Sequence, residues 1–372
     1  MIFWASGAES GNIKNWDFYW GQQGNIVQYP AVTTDKKHSG SYSYVCHPYT
    51  YNGWITKTFG IQIKNILDEV YISFWIYYDE YDHYYSYQSE YVVFTNYDCT
   101  RNICFGTLDS LSWNKLCFWT TTNGLNFSSN TPITDAVALT DFIKNQWVCW
   151  ELHVKIGILD GKLEFKENGV TKISYSGDTY WTDSNSFGHI DRILFSGGGS
   201  NPRAQNYIDD IVIADTTGDV NNTWLGQDKM VMNVPAKRNS LDKNMFDATA
   251  DKVSIANTSG LDWFPGSNFM KPVNSSDTQL FDCVGLTRLT DKTKDIKICA
   301  VILTTTINNY RTDITNFRFV ISNNMNNYEY ELNFLNNGVN NFFRQVWNLN
   351  PITNTTFKFK EINKYEYGVK VE

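Results

Sequence analysis

From Val148 the chain alternates: Val148, Trp150, Leu152, Val154 and Ile156 are apolar, while Cys149, Glu151, His153 and Lys155 stand between them. A period of two puts one set on a core face and the other toward solvent, which predicts a half-buried strand. Asp160-Gly161 then predicts a tight turn, Leu163 and Phe165 a returning strand, and Asn168-Gly169 a second turn before Val170, Ile173 and Tyr175. This is the pattern of an antiparallel meander. Further strands are predicted at Val70–Tyr78, Tyr91–Phe94, Leu116–Thr120, Arg192–Phe195 and Tyr207–Ala214. Helical patterns are scarce, with short helices predicted only over Ile61–Glu69 and Ile133–Lys144.

The alternation gives way after Ala214 to a polar, turn-rich stretch beginning Asp215-Thr-Thr-Gly-Asp. Such a stretch predicts a linker. Strands resume at Met230–Asn233, Ile296–Thr305, Phe317–Ser322, Tyr328–Phe334, Phe342–Trp347 and Tyr367–Val371, several of them separated by Asn-rich turns. The predicted organisation is a sandwich over residues 1–216, a linker at 217–226 and a smaller antiparallel β-sandwich over 227–372. At 372 residues two folding units are the natural division.

Composition agrees with strands and contact surfaces rather than disorder. Hydrophobic residues make up 42% and aromatics 16%, enough to bury a core in each unit. A net charge of −8 without a Lys/Arg cluster argues against nucleic acid as a partner, since that grip needs a basic stripe. No apolar run approaches the roughly 18 residues of a membrane-spanning helix, so no membrane is expected as a partner either. The first residues, Met1-Ile2-Phe3-Trp4, lack the basic start of a secretory signal. Seven scattered cysteines, with no partner at zinc-ligand spacing, are expected to be reduced thiols of a chain that matures in the cytosol.

Several pieces in order carry a resemblance: Ala8-Glu9-Ser10-Gly11 with Trp16, His38-Ser39-Gly40-Ser41-Tyr42-Ser43, Trp147 to Val154, and Tyr207-Ile-Asp-Asp-Ile-Val-Ile213. Together they resemble the concanavalin A-like lectin/glucanase superfamily of jelly-roll sandwiches, which implies an all-β fold. The segment from Tyr207 through Trp224-Leu225-Gly226 looks like the junction of a group of tailed-bacteriophage virion proteins. So do Asn274 to Phe281 and the end from Asn350-Pro351 to Glu366-Tyr367-Gly368-Val369-Lys370-Val371. That resemblance implies a virion component assembled in the bacterial host cytoplasm and present in many copies or as a homo-oligomer. Its partners would then be other virion proteins.

A glucanase of this superfamily would carry Glu-x-Asp-x-x-Glu on one strand, aiming its carboxylates at one glycosidic bond. Here Glu80-Tyr81-Asp82 is followed by Tyr85 where the third acid belongs, so no catalytic residues and no enzyme are expected. In related carbohydrate-binding sandwiches an early acid and an Asp of the last strand share a structural calcium. By that resemblance Glu9 with Asp209 or Asp210 would be the ligands, and carboxylate oxygens suit such a hard cation. The reading without a metal is that these acids cap turns or pair with basic residues at the sheet edge. Tyr81, Tyr84, Tyr85 and Tyr87 form the densest aromatic stretch and are the candidate ligand-binding residues. Tyr offers a large amphipathic surface at low entropic cost, for sugar rings or for protein. The expected function is a non-enzymatic structural part of a phage particle acting through protein contacts. The alternative is a glycan-binding receptor module that meets the host cell surface.

Overall fold

The alternating segments are strands in a computed structural model of the protein, and no helix occurs among its described residues. Those are residues 1–9, 16–20, 31–46, 58–79, 89–96, 102–108, 115–121, 131–180, 188–196, 205–227, 231, 236–238, 247–248, 270–271, 278–283, 298–307, 316–323, 326–332, 341–358 and 364–371. The chain divides into two units, Met1–Met232 and Asn233–Glu372. In the first, the strands are β1 (Ile2–Ser6), β2 (Phe18–Trp20), β3 (Ala31–Thr33), β4 (Ser43–Cys46), β5 (Thr58–Leu67), β6 (Glu69–Asp79), β7 (Ser89–Thr95) and β8 (Asn102–Thr107). They continue with β9 (Leu116–Thr121), β10 (Thr131–Val137), β11 (Trp147–Lys155), β12 (Gly161–Glu167), β13 (Val170–Gly177), β14 (Ile190–Ser196) and β15 (Gln205–Asp215).

These strands make two antiparallel sheets. One is eight-stranded, ordered β13-β12-β11-β6-β15-β4-β3 with β1 also paired to β15; the other is seven-stranded, ordered β10-β9-β8-β7-β14-β5-β2. Their inner faces share one core, in which Ile72, Phe74, Trp150 and Phe165 of the first sheet meet Phe94, Phe105 and Phe118 of the second. The fold class is therefore an all-β, antiparallel sandwich. At the predicted second turn Asn168 (φ 49°) and Gly169 (φ 76°) both take positive φ, as a two-residue hairpin between right-twisted strands requires.

Both predicted helices are instead strands or extended chain. Ile61 and Ile63 are core residues two apart on β5, so the segment follows a strand period rather than a helical one. Over Ile133–Lys144, Asp135 has a positive φ of 69° and the register against β9 shifts between Pro132 and Val137. No helix turn survives a residue in the left-handed region.

The expected linker is also different. Every residue of β11 from Val148 to Val154 is buried, although its alternate side chains leave the core. A strand buried on both faces must be covered on the face away from the core, and residues 216–227 form part of that cover. The Gly226 N–H donates to Glu151 Oε1 at 2.6 Å, the Ser73 hydroxyl donates to the Gly226 carbonyl at 3.3 Å, and the Trp224 ring meets Tyr71 and His153 edge-on. Residues 217–226 are thus a strap on the first unit.

The second unit contains β16 (Ala236–Arg238), β17 (Asp247–Ala248), β18 (Met270–Lys271), β19 (Thr278–Cys283), β20 (Val301–Ile307), β21 (Phe317–Ser322), β22 (Asn327–Leu332), β23 (Asn341–Trp347) and β24 (Glu366–Val371). A five-stranded antiparallel sheet, β16-β19-β24-β21-β22, packs Phe319, Ile321 and Tyr367 against Trp347, Val301 and Leu303 of the β20-β23 pair.

Cys104, Cys117 and Cys149 are buried free thiols. Burial pushes Cys117 up to about 12 and Cys104 well above the ordinary thiol range. Since the thiolate is the reactive form, neither should be alkylated by iodoacetamide at pH 8 in the folded chain. Both should label in denaturant, and peptide mass spectrometry showing native labelling at either position would contradict this packing.

Candidate functional site

The outer face of the eight-stranded sheet can be read in rows across its strands. Trp147 lies opposite Tyr77, and Tyr77 opposite Tyr207; one row further on, Cys149 lies opposite Trp75 and Trp75 opposite Asp209. The next rows are Glu151, Ser73, Val212 and then His153, Tyr71, Ala214. The strap covers these last two rows. The first two make an aromatic patch at the end where β6 finishes.

In that patch Tyr77 meets Trp147 edge-on at 5.8 Å between ring centres and Tyr207 at 6.1 Å. The turn between β3 and β4 adds two basic side chains. His38 stacks on Trp75 with centres 3.7 Å apart and planes within 11°, and approaches Trp147 edge-on at 5.8 Å. The Lys36 ammonium stands 4.1 Å above the centre of Tyr77 and 3.4 Å from Asp79 Oδ2. Bonding to Tyr77, opposed by burial and aided by the Asp79 charge, holds Lys36 above the usual lysine range. Burial and then the Asp79 charge raise Tyr207. Trp75, Tyr77, Trp147, Lys36 and His38 are all partly exposed.

Acids placed by strained backbone fix this turn. In β15 the register slips between Asp209 and Val212, and Asp210 sits at φ 49°. Consecutive strand residues ordinarily point to opposite faces, and the bulge turns both carboxylates the same way. Asp209 Oδ2 accepts the N–H groups of His38 at 3.0 Å and Ser39 at 3.1 Å, while its Oδ1 accepts the N–H of Asp210. Asp210 Oδ2 lies 2.7 Å from His38 Nδ1, and its Oδ1 accepts the Ser39 hydroxyl at 2.9 Å and the Val231 N–H at 2.6 Å. Glu9 holds the other end of the turn, accepting the N–H groups of Ser41 and Tyr42. Between these, Gly40 takes φ +57°, and a Cβ there would lie 2.3 Å from the Glu9 carboxylate. Burial above all, then the adjacent Asp210 charge, pushes Asp209 up to about 7.

The structure thus brings the three proposed calcium ligands, Glu9, Asp209 and Asp210, to a single turn. Their donor chemistry suits calcium, but their arrangement does not, because their oxygens face N–H and O–H donors. Among the described residues no group of three or more His, Cys, Asp or Glu side chains could hold a metal ion. The proposed ligand-binding residues Tyr81, Tyr84, Tyr85 and Tyr87 lie outside the described residues, as do Glu80 and Asp82. Two tyrosines flanking them, Tyr78 and Tyr91, pack in the core. Sequence reasoning missed Lys36, His38, Trp75 and Trp147 as a site. The signal was available: Trp75 and Tyr77 occupy the solvent phase of the alternation in β6, where polar residues belong.

No protein-family model matches the chain, and no curated protein matches it. Among solved structures, a cellulose-induced protein, Cip1, is similar at 17% identity and TM-score 0.41, over 60% of this chain and 99% of its own. An alginate lyase of the marine PL-14 group from Aplysia kurodai is similar at 12% identity and TM-score 0.40, over 57% of this chain and 98% of its own. The same holds for a structure of botulinum neurotoxin type C, at 12% identity and TM-score 0.35, over 57% of this chain and 47% of its own. Cell entry of that toxin is dependent upon interaction with two ganglioside molecules. The likeness extends to the sandwich fold and no further. The expectation that the chain is no enzyme is corrected here: it rested on the missing third acid of one glycosidase pattern, which leaves other chemistry open, and alginate lyases stand among the similar structures.

Proposed function

We propose that the first unit is a glycan-binding module whose contact surface is the patch of Trp75, Tyr77 and Trp147 together with His38, stacked on Trp75, and Lys36, set over Tyr77. The observation that supports it most directly is the cluster of partly exposed Trp75, Tyr77 and Trp147 on the outer face of a sheet, beside a lysine, an aspartate and a histidine. A pyranose ring has an apolar C–H face and a rim of hydroxyls. The partly exposed rings of Trp147 and of His38, which stacks on Trp75, suit the first, and side chains such as Lys36 and Asp79 suit the second. The test is an array of neutral and acidic oligosaccharides probed with the intact chain. Trp147→Ala and Trp75→Ala should each weaken binding about tenfold or more, the equivalent of about 1.4 kcal/mol. A chain that binds nothing on the array, or binds equally well without either ring, ends the reading.

A second reading rests on the resemblance of residues 207–226 and 350–371 to tailed-phage virion proteins. The module would then ride on a particle in many copies, with other virion proteins as neighbours and host surface glycan as its target. Mass spectrometry of purified particles tests it, and absence of the chain from them would remove it.

A further inference from the structure

We infer that Asp210 is a positioning residue for the aromatic patch, tying the turn that carries Lys36 and His38 to Val231, which follows the strap that crosses the same sheet. The inference rests on the glycan-binding reading for its functional consequence and on geometry for its mechanism. One carboxylate reaches both segments. Oδ2 faces His38 Nδ1 at 2.7 Å, while Oδ1 accepts from Ser39 in the turn and from Val231 beyond the strap at 2.6 Å. The side chain of Asp210 is fully buried whereas that of His38 is 25% exposed, so a buried group anchors a partly exposed one. The held ring is the one stacked on Trp75 and set edge-on to Trp147.

The neighbourhood is built to keep this geometry at a backbone cost. Positive φ at two non-glycine residues, Ala8 (58°) and Asp210 (49°), gathers around one turn, where Gly40 (57°) takes the same conformation freely. Strain of this kind persists only where surrounding contacts over-determine it. Gly7 adds to the fit, since a Cβ there would lie 2.6 Å from the Val231 carbonyl and 3.4 Å from Asp210 Oδ1. Without the Val231 N–H, Asp210 loses one of the two donors on Oδ1, and its hold on Ser39 and His38 has one fewer anchor. The patch is therefore complete when Val231 is seated against Asp210.

The experiment uses the intact chain with labelled histidines and two variants, Asp210→Asn and Val231→Pro. Each breaks a different side of the tie: an amide cannot accept on both sides, and proline has no N–H to give. The imidazole signals of His38 are assigned among the five histidines with His38→Gln. Stacking on Trp75 shifts them away from free histidine, and Trp75→Leu gives the unstacked reference. Both variants should move the His38 signals toward that reference and weaken array binding about tenfold or more. A role confined to stability would lower the melting temperature and leave the His38 signals in place. Folded variants with wild-type His38 signals overturn the inference, as does wild-type array binding by Asp210→Asn with shifted signals. A wild-type chain that binds nothing on the array ends the glycan reading instead, and the His38 signals still decide whether Asp210 positions the ring.

Discussion

Trp150→Ala should remove about 3–5 kcal/mol from the first unit, a large share of the roughly 5–15 kcal/mol that holds a typical domain together. Trp150 is fully buried at the middle of β11. Its indole meets the rings of Phe74, Tyr91, Phe105, Phe142 and Phe165 at 5.3 to 6.0 Å, so five aromatic partners from several strands share one neighbour. Its Nε1 donates to Glu167 Oε1 at 3.4 Å, and that buried carboxylate also accepts the Ile143 N–H. Removing the ring leaves a cavity that five stiff aromatics cannot close together, and it takes one donor from a buried acid. Hydrogen exchange should show it first in the amides of β11 and β6, which pair along their full shared length from Trp147–Tyr77 to Lys155–Glu69. A denaturant midpoint shift equivalent to less than about 1 kcal/mol would mean that the core is looser than these contacts imply.

How far the sequence discloses this molecule depends on the range of each signal. The alternation through Val148 to Ile156 is local, and it gives β11 and its inward face directly. The turn at Asn168-Gly169 is local as well, because two positive φ values call for those residue types. Ile61 and Ile63 carry a strand period too short to separate from a helix without knowing that β14 and β2 lie on either side. The strap is the clearest failure. Its polar residues look like a linker because nothing in 215–227 shows that Glu151 and His153, some 70 residues earlier, need a cover. Glu9, Asp209 and Asp210 were legible as acids belonging to one place. Their task was not, because it depends on which N–H groups the turn at 38–42 presents. The alternation in β6 could have placed Trp75 and Tyr77 outward, a signal left unused; that Trp147 and His38 join them follows only from strand register and the path of the turn.

His153→Ala should cost about 2–4 kcal/mol, more than its single ring suggests, because the residue joins the sheet to the strap. The imidazole is 2% exposed and lies between two glutamates, with Nε2 2.7 Å from Glu69 Oε1 and Nδ1 2.6 Å from Glu164 Oε2. Each ring nitrogen lies within hydrogen-bond reach of a carboxylate, so a single side chain bridges an acid on either side. The ring also stacks on Tyr71 with centres 4.1 Å apart and planes within 5°, and it supports the edge of Trp224 at 5.8 Å. Lys166 closes the stack from above, 3.7 Å from the Trp224 ring centre. Alanine removes the stack, worth roughly 1 kcal/mol, and leaves two carboxylates facing each other across a gap. The glutamates keep about a quarter of their side-chain exposure, 24% and 23%, so water relieves part of their repulsion and holds the loss below that of a fully buried pair. Glu69→Gln keeps an acceptor beside Nε2 and should cost much less than His153→Ala. A double-mutant cycle between the two positions isolates their coupling. Loosening of the strap should appear together with the loss of stability, as faster exchange of the Gly226 amide that Glu151 accepts. If His153→Ala costs less than about 1 kcal/mol and the Gly226 amide stays protected, the strap is held by Glu151 and Ser73 alone, and the histidine is a passenger beneath it.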